Sequence, residues 1–324
     1  MNKRILAIII LIVISLIWLQ PLNFGKAEIT IPEGTSAREI VEYLSSNHIV
    51  RDADEFLFCL KISGKEKHLK SGTYELHRYK NPIYFIDKLT RGGKSDVIIT
   101  VPEGLTIYET ADILTTHGVV DKEHFIELCR NKNFIRILGL NVSTLEGYLF
   151  PDTYSFTASQ SDTEIIKTFI ENFKNHINKF ELTSIDSINR IIIIASMVEK
   201  EAKHEDERPI IAKVFINRLK TYRPLESCAT VLYVLKNEEL NPYKNKVQHK
   251  IKLTEKDLKI NSPYNTYLHI GLPPGPICSP GENSIKAVMS PADVNYLYFV
   301  SRGDGRHHFS STYKEHLIAK ERYR

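Results

Sequence analysis

Shifted by 70 residues, the chain matches itself: Ile31-Pro32-Glu33-Gly34 falls on Val101-Pro102-Glu103-Gly104 without a gap. The match continues through Glu39 with Glu109, Leu44 with Leu114, Val50 with Val120 and Cys59 with Cys129. In each copy a short alternating stretch (Glu28 to Ile31, Asp96 to Val101) meets a Pro-Glu-Gly turn and runs into a helical pattern, with Ile40, Val41 and Leu44 apolar in the first. A strand, turn and helix unit is therefore used twice. Two copies are too few for a solenoid, which needs three or more. They read instead as a small α/β module over residues 25–97 and a related element opening a second domain over residues 98–324. On residues alone the first module is a binding or spacing device, or packing support for the second domain.

The fold class expected is α+β: an N-terminal membrane helix, the small α/β module, then a mixed, mainly helical domain. With 42% hydrophobic and 25% charged residues in 324, the chain buries a large core, which excludes disorder. Lys plus Arg number 43 against 39 Asp plus Glu, a formal charge of +4 that is too small and dispersed for a nucleic-acid binder. The four cysteines, Cys59, Cys129, Cys228 and Cys278, have no CxxC spacing, so neither a zinc ribbon nor a disulfide scaffold is expected. Cys59 and Cys129 either pair or fill the same core position in each copy, and burial is the reading favoured.

Lys3 and Arg4 precede an apolar run from Ile5 to Leu19, interrupted only by Ser15 and followed by Gln20, Pro21 and Leu22. The run is short against the roughly 20 residues usual for a span, but no small-residue cleavage site follows it, so residues 1–24 read as a signal anchor. Basic residues on the amino side predict that end inside and the rest of the chain outside the cytoplasm.

The chemistry concentrates further on. LEGYLFPDTYSF, Leu145 to Phe156, is an aromatic loop, and Thr163 to Phe180 carries an apolar face at Ile165, Ile166, Phe169, Ile170 and Phe173. The next helix runs through Ile188, Ile192 and Ala195 to Glu199, Lys200 and Glu201, with Asp186 available as its cap. At about 100° per residue Glu199 returns to the core-facing stripe and Glu201 turns to solvent. A carboxylate on an apolar wall is desolvated and suited to deliver a proton. The plainer alternative pairs Glu199 with Lys203 or Arg218 at a helix end. Downstream, Ser262-Pro263-Tyr264-Asn265-Thr266-Tyr267 and Gly271 to Ile277 form irregular chain carrying rings and an amide, a composition suited to a carbohydrate groove. His204-Glu205-Asp206-Glu207 reads as a solvated turn, and His307 and His308 point to opposite faces of a strand, so no metal site is expected. There is no Walker A loop, GxGxxG or GxSxG.

Five segments together resemble the endolytic murein transglycosylases of the MltG, or YceG-like, family: LEGYLFPDTY (145–154), ASMVEKEA (195–202), ERPIIAKVFINRL (207–219), SPYNTYLHIGLPPGPI (262–277) and YLYFVSRGDGRHHFS (296–310). The resemblance implies that residues 25–97 are LysM-like and 98–324 the catalytic domain. It also implies cleavage of the β-1,4 bond between N-acetylmuramic acid and N-acetylglucosamine with a 1,6-anhydro end, and termination of nascent strands. The family's catalytic glutamate falls on Glu199. Tyr264, Asn265 and Tyr267 are the candidate sugar-binding residues, while Glu146 and Asp152 either orient groups at the cleft or lock loops. One departure stands at Leu225-Glu226-Ser227-Cys228-Ala229-Thr230, where the family reads Leu-Gln-Ser-Asp-Pro-Thr. No metal or cofactor is implied. The implied partners are glycan strands, the cytoplasmic membrane, penicillin-binding proteins and other wall-synthesis proteins. Two rival readings are a noncatalytic wall-binding scaffold and a hydrolase using Glu199 with Glu146 or Glu226 as second acid.

Overall fold

In the first strand the alternation of Ala27, Ile29 and Ile31 decides which face is buried, as the computed structural model shows; it describes residues 25–32, 34–93, 96–157, 160–180, 185–237 and 253–323. β1 (Lys26–Ile31) pairs antiparallel with β2 (Gly72–His77), Ile29 opposite Tyr74 and Ala27 opposite Leu76. Ile29, Ile31, Tyr74 and Leu76 are buried on the shared face. Against it pack three helices. α1 (Ala37–Ser46) starts in a capping box, Ser36 bonding the Glu39 backbone and the Glu39 carboxylate bonding back to Ser36. α2 (Ala53–Ile62) is capped by Asp52, and α3 (Pro82–Arg91) by Asn81 with Pro82 in its first turn. Ile40, Val41, Leu44, Phe56, Leu60, Phe85 and Leu89 complete this core.

The chain divides into two compact units, the first running to Val97 and including the stretch from Ser155 to Ser159, the second comprising Ile98–Tyr154 and the chain from Gln160 onward. β3 (Asp96–Val101) pairs with β4 (Asp152–Thr157), and α4 (Ile107–Thr116) begins in a capping box of Thr106 and Glu109. The second unit thus repeats the strand, turn and helix of the first. α5 (Lys122–Leu128) and α6 (Lys132–Ile137) follow, then α7 (Asp162–Asn178), whose buried residues are Ile165, Ile166, Phe169, Ile170, Phe173 and Ile177. α8 (Ile185–Glu201) lies at the centre, packed by α9 (Arg208–Lys220), α10 (Cys228–Lys236) and α11 (Glu282–Met289). β5 (Tyr298–Ser301), β6 (His307–Ser310) and α12 (Tyr313–Tyr323) close the chain.

Two expectations change. α8 does not have a single apolar stripe: Ile192 through Val198 are seven consecutive buried residues, because neighbours cover the helix on every side. The α+β character holds, but the expected membrane helix is not part of the observed fold. Among the described residues no helix is long and apolar enough to cross a membrane. The central helix α8 has 17 residues and carries Asp186, Arg190, Glu199, Lys200 and Glu201. Residues 1–24, on which the anchor was expected, lie outside the described residues.

Candidate active site

Glu199 stands in the last turn of α8, its side chain only 8% exposed. Two loops and one helix start meet it. Arg208, the first residue of α9, places Nη2 3.2 Å from Glu199 Oε1, and the backbone N–H of Gly281 donates to Oε2 at 3.0 Å. Pro209 just behind Arg208 suits the open first turn of α9 and leaves the guanidinium to face backwards over the end of α8. The niche is therefore enclosed but charged, not the apolar wall expected from the sequence. A guanidinium and an amide hold both carboxylate oxygens in a defined orientation.

The second Pro-Glu-Gly turn completes the surroundings. Gly104 N–H donates to Ser279 C=O at 2.8 Å, and Ser279 N–H donates to Leu105 C=O at 2.7 Å, so the turn is stitched to the loop that carries Gly281. Lys200 Nζ donates to Gly104 C=O at 3.0 Å. These bonds bring Glu103 to the same arginine: its Oε2 lies 3.8 Å from Arg208 Nη2. Burial raises the Glu103 pKa, the negative charge of Glu199 raises it further, and Arg208 pulls it back. Glu103 and Arg208 were not singled out by sequence reasoning. The signal for Glu103 was its place in a repeated tetrapeptide, and for Arg208 its place beside the helix-starting Pro209.

Glu201 does not face solvent as expected. Its carboxylate accepts from Ser227 Oγ at 2.6 Å beneath the start of α10, and burial pushes its pKa up. The helical wheel failed here because the chain before α10 covers this side of the end of α8, which the helix's own sequence does not record. Glu207 likewise is not a solvated turn residue: it is 4% exposed, takes the His307 backbone N–H at 3.0 Å and lies 2.8 Å from His307 Nδ1. It ties β6 to the turn before α9.

The remaining candidates hold other positions. Glu146 is 2% exposed, accepts from Ile107 N–H at 3.1 Å and from Tyr233 OH at 3.2 Å, and burial pushes its pKa up to about 8. Glu226 takes Arg218 Nη1 at 2.7 Å. Asp152 accepts from Asn172 Nδ2 at 2.9 Å and from Thr153 N–H. Asn265 is fully buried, its amide donating to Leu258 and Ile260 carbonyls while its oxygen accepts from Tyr267 N–H. Tyr264 and Tyr267 pack against the cluster of Val231, Val234, Leu235 and Ile260. Tyr264 tilts on Tyr233 with ring centres 5.1 Å apart, and burial pushes its pKa up to about 12. Tyr267 OH is 3.1 Å from Cys228 Sγ. All four cysteines are free; Cys129 is buried and Cys59 half-buried. One residue along α8 from Glu199, a cavity of about 290 Å³ opens beside Lys200, lined by Thr106, Tyr108, Glu109, Tyr233, Lys236 and Ile277 among others.

The sequence profile described as the YceG-like family matches residues 29–322. The chain belongs to the YceG-like family. This YceG-like chain is 33% identical over 318 residues to a protein of Bacillus subtilis (strain 168) named endolytic murein transglycosylase, covering 91% of this chain and 84% of that one. It is 29% identical over 319 residues to a protein of the same name from Streptococcus pneumoniae serotype 2 (strain D39 / NCTC 7466), covering 88% of this chain but 56% of the pneumococcal one. A crystal structure of a yceG-like protein from Listeria monocytogenes superposes with a TM-score of 0.59 at 30% identity, over 90% of this chain and 98% of that one.

Proposed function

We propose that this YceG-like protein is an endolytic murein lytic transglycosylase with Glu199 as its single acid and base. The observation that carries the reading is the enclosed Glu199 carboxylate, oriented by Arg208 and the Gly281 amide at the end of the central helix, in a family whose curated relatives bear that name. As the acid, Glu199 protonates the glycosidic oxygen that leaves N-acetylmuramic acid. As the resulting carboxylate, it takes the proton from the C6 hydroxyl of the same sugar, whose oxygen bonds to the anomeric carbon and closes the 1,6-anhydro ring. The proton that enters the leaving group is thus replaced, and no water is consumed. Because the nucleophile belongs to the substrate, no second acid of the ordinary glycosidase kind is needed. Glu146 and Glu226, the second acids of the rival hydrolase, are committed to Ile107 and Tyr233 and to Arg218.

The cavity beside Lys200, with two tyrosine rings and charges of both signs, is the part of the cleft we assign to the sugar strand. The two tyrosines expected there, Tyr264 and Tyr267, support it from behind through Tyr233 and α10. Activity belongs outside the cytoplasm, where murein is found, with glycan polymerases and other wall-synthesis proteins as partners. Residues 25–97 are the module we assign to wall binding, as the LysM-like resemblance suggests.

Mass analysis of murein digested by the wild type tests the chemistry. Anhydro ends, one water lighter than reducing ends, are expected, and reducing ends as the main product would reject the lyase reading. A protein that binds murein but releases nothing would leave the scaffold reading.

A further inference from the structure

The proposed reaction uses one carboxylate, yet the structure brings two to one guanidinium. Glu103 Oε2 is 3.8 Å and Glu199 Oε1 3.2 Å from the same Arg208 Nη2. Glu103 also lies against Gly281. A side-chain carbon at position 281 would fall 1.9 Å from Glu103 Oε1, so the carboxylate lies directly over the Gly281 backbone. The same Gly281 donates its N–H to Glu199. One residue thus touches the first carboxylate and orients the second.

Arg208 is not arranged for its own hydrogen bonding. Its side chain is 11% exposed, Nη1 lies 3.7 Å from the exposed Glu205, and its buried Nε has no hydrogen-bond partner among the described residues. A buried donor left unbonded costs stability. Its position is explained by the two carboxylates it faces. The other charged or titratable groups around Glu199 are few. Lys200 lies on α8 and is bonded to Gly104 C=O; Glu205 precedes α9; Cys278 is buried, with its thiol on Ser196 C=O and its pKa pushed well up by burial.

Resting on the function proposed above, we infer that Glu103 is a positioning residue of the reaction, sharing Arg208 with Glu199 so that the guanidinium and the charge of Glu103 set the Glu199 carboxylate while it alternates between acid and base. Two ionised carboxylates facing one guanidinium repel one another, and the charge of Glu199 disfavours ionisation of Glu103. The burial and like-charge repulsion that raise the Glu103 pKa act in the same sense.

The test compares wild type, Glu103→Gln, Glu103→Asp and Glu199→Gln in murein digestion from pH 4.5 to 8.5, with thermal melting of each protein. Glu103→Gln should fold and keep KM within twofold. Its kcat should fall at least tenfold, and the alkaline limb of its pH profile should move down by about one unit as the like-charge neighbour is lost. Glu103→Asp, which keeps the charge, should recover the wild-type limb. Unchanged kcat and limb in Glu103→Gln overturn the inference. So does a loss of activity at a fixed limb that Asp does not repair, which marks a structural role. An active Glu199→Gln overturns the function itself; an inactive Glu199→Gln beside an unaltered Glu103→Gln overturns only the role of Glu103.

Discussion

The two Pro-Glu-Gly turns have the same local chemistry and different surroundings. Gly34 has φ +82° and Gly104 φ +79°, and each turn leads to a capping box, Ser36 with Glu39 and Thr106 with Glu109. The first turn is held by its own residues, Thr35 N–H and Oγ1 both donating to Pro32 C=O, and a side chain on Gly34 would meet nothing within 4 Å. The second turn is bonded to Ser279 and Lys200, and a side chain on Gly104 would stand 3.6 Å from Glu199 Cγ. Below it, Ile107 N–H at the start of α4 is taken by the buried Glu146, whereas the cap of α1 is made by Ser36 and Glu39. A repeated tetrapeptide therefore makes a turn wherever it occurs, and becomes part of a site only where other chain segments are bonded to it.

The largest effect tests whether the second turn surrounds chemistry at all. Glu199→Gln should lower the rate of glycan cleavage by about 10²–10⁴-fold, as removal of a general acid does, with an unchanged melting curve. Retained cleavage would return both turns to a purely structural role.

Next comes the buried carboxylate under α4. The folded Glu146 pKa is about 8, above the unfolded value near 4.3. Between those values the unfolded chain ionises while the folded one stays protonated, so stability falls as pH rises and levels off above about 8. One such group contributes about 1.4 kcal/mol per pH unit at most. Urea unfolding at pH 5, 6.5 and 8 should show Glu146→Gln gaining on the wild type as pH increases; parallel curves would show that Glu146 ionises freely.

Gly34→Ala and Gly104→Ala form the direct comparison. Both place a side chain at positive φ and should destabilise by about 1–2 kcal/mol. Only Gly104→Ala should also lower kcat, because relief of the strained φ moves a turn that touches Glu199 and Lys200. Equal activities in the two variants would break the distinction between the turns.

The smallest effect is at the caps. Ser36→Ala and Thr106→Ala should each cost about 1 kcal/mol in thermal unfolding, and only Thr106→Ala should lower glycan cleavage, since Thr106 lines the cavity beside Lys200.

Much of the local structure was readable. The apolar spacing of Ile165, Ile166, Phe169, Ile170 and Phe173 predicted α7. The strand carrying His307 and His308 was also expected. The readings that failed share one cause. Glu201 and Glu207 were assigned to solvent from their own segments, but the chain before α10 covers the first and β6 the second. Asn265 was read as a sugar ligand because it lies in an aromatic loop, and its amide holds that loop's own backbone.

Sequence by itself determined the repeat, its turns, the apolar content of α8 and the glutamate at its end, because these depend on dihedral preference and on spacing within a few residues; Asp186, expected to cap α8, lies inside its first turn instead. Tertiary structure alone decided that Arg208, Gly281 and Glu103 meet at Glu199. Hydrogen bonds and charge interactions act over a few ångströms in space, and nothing in the order of residues records that positions 103, 199, 208 and 281 will come within that reach.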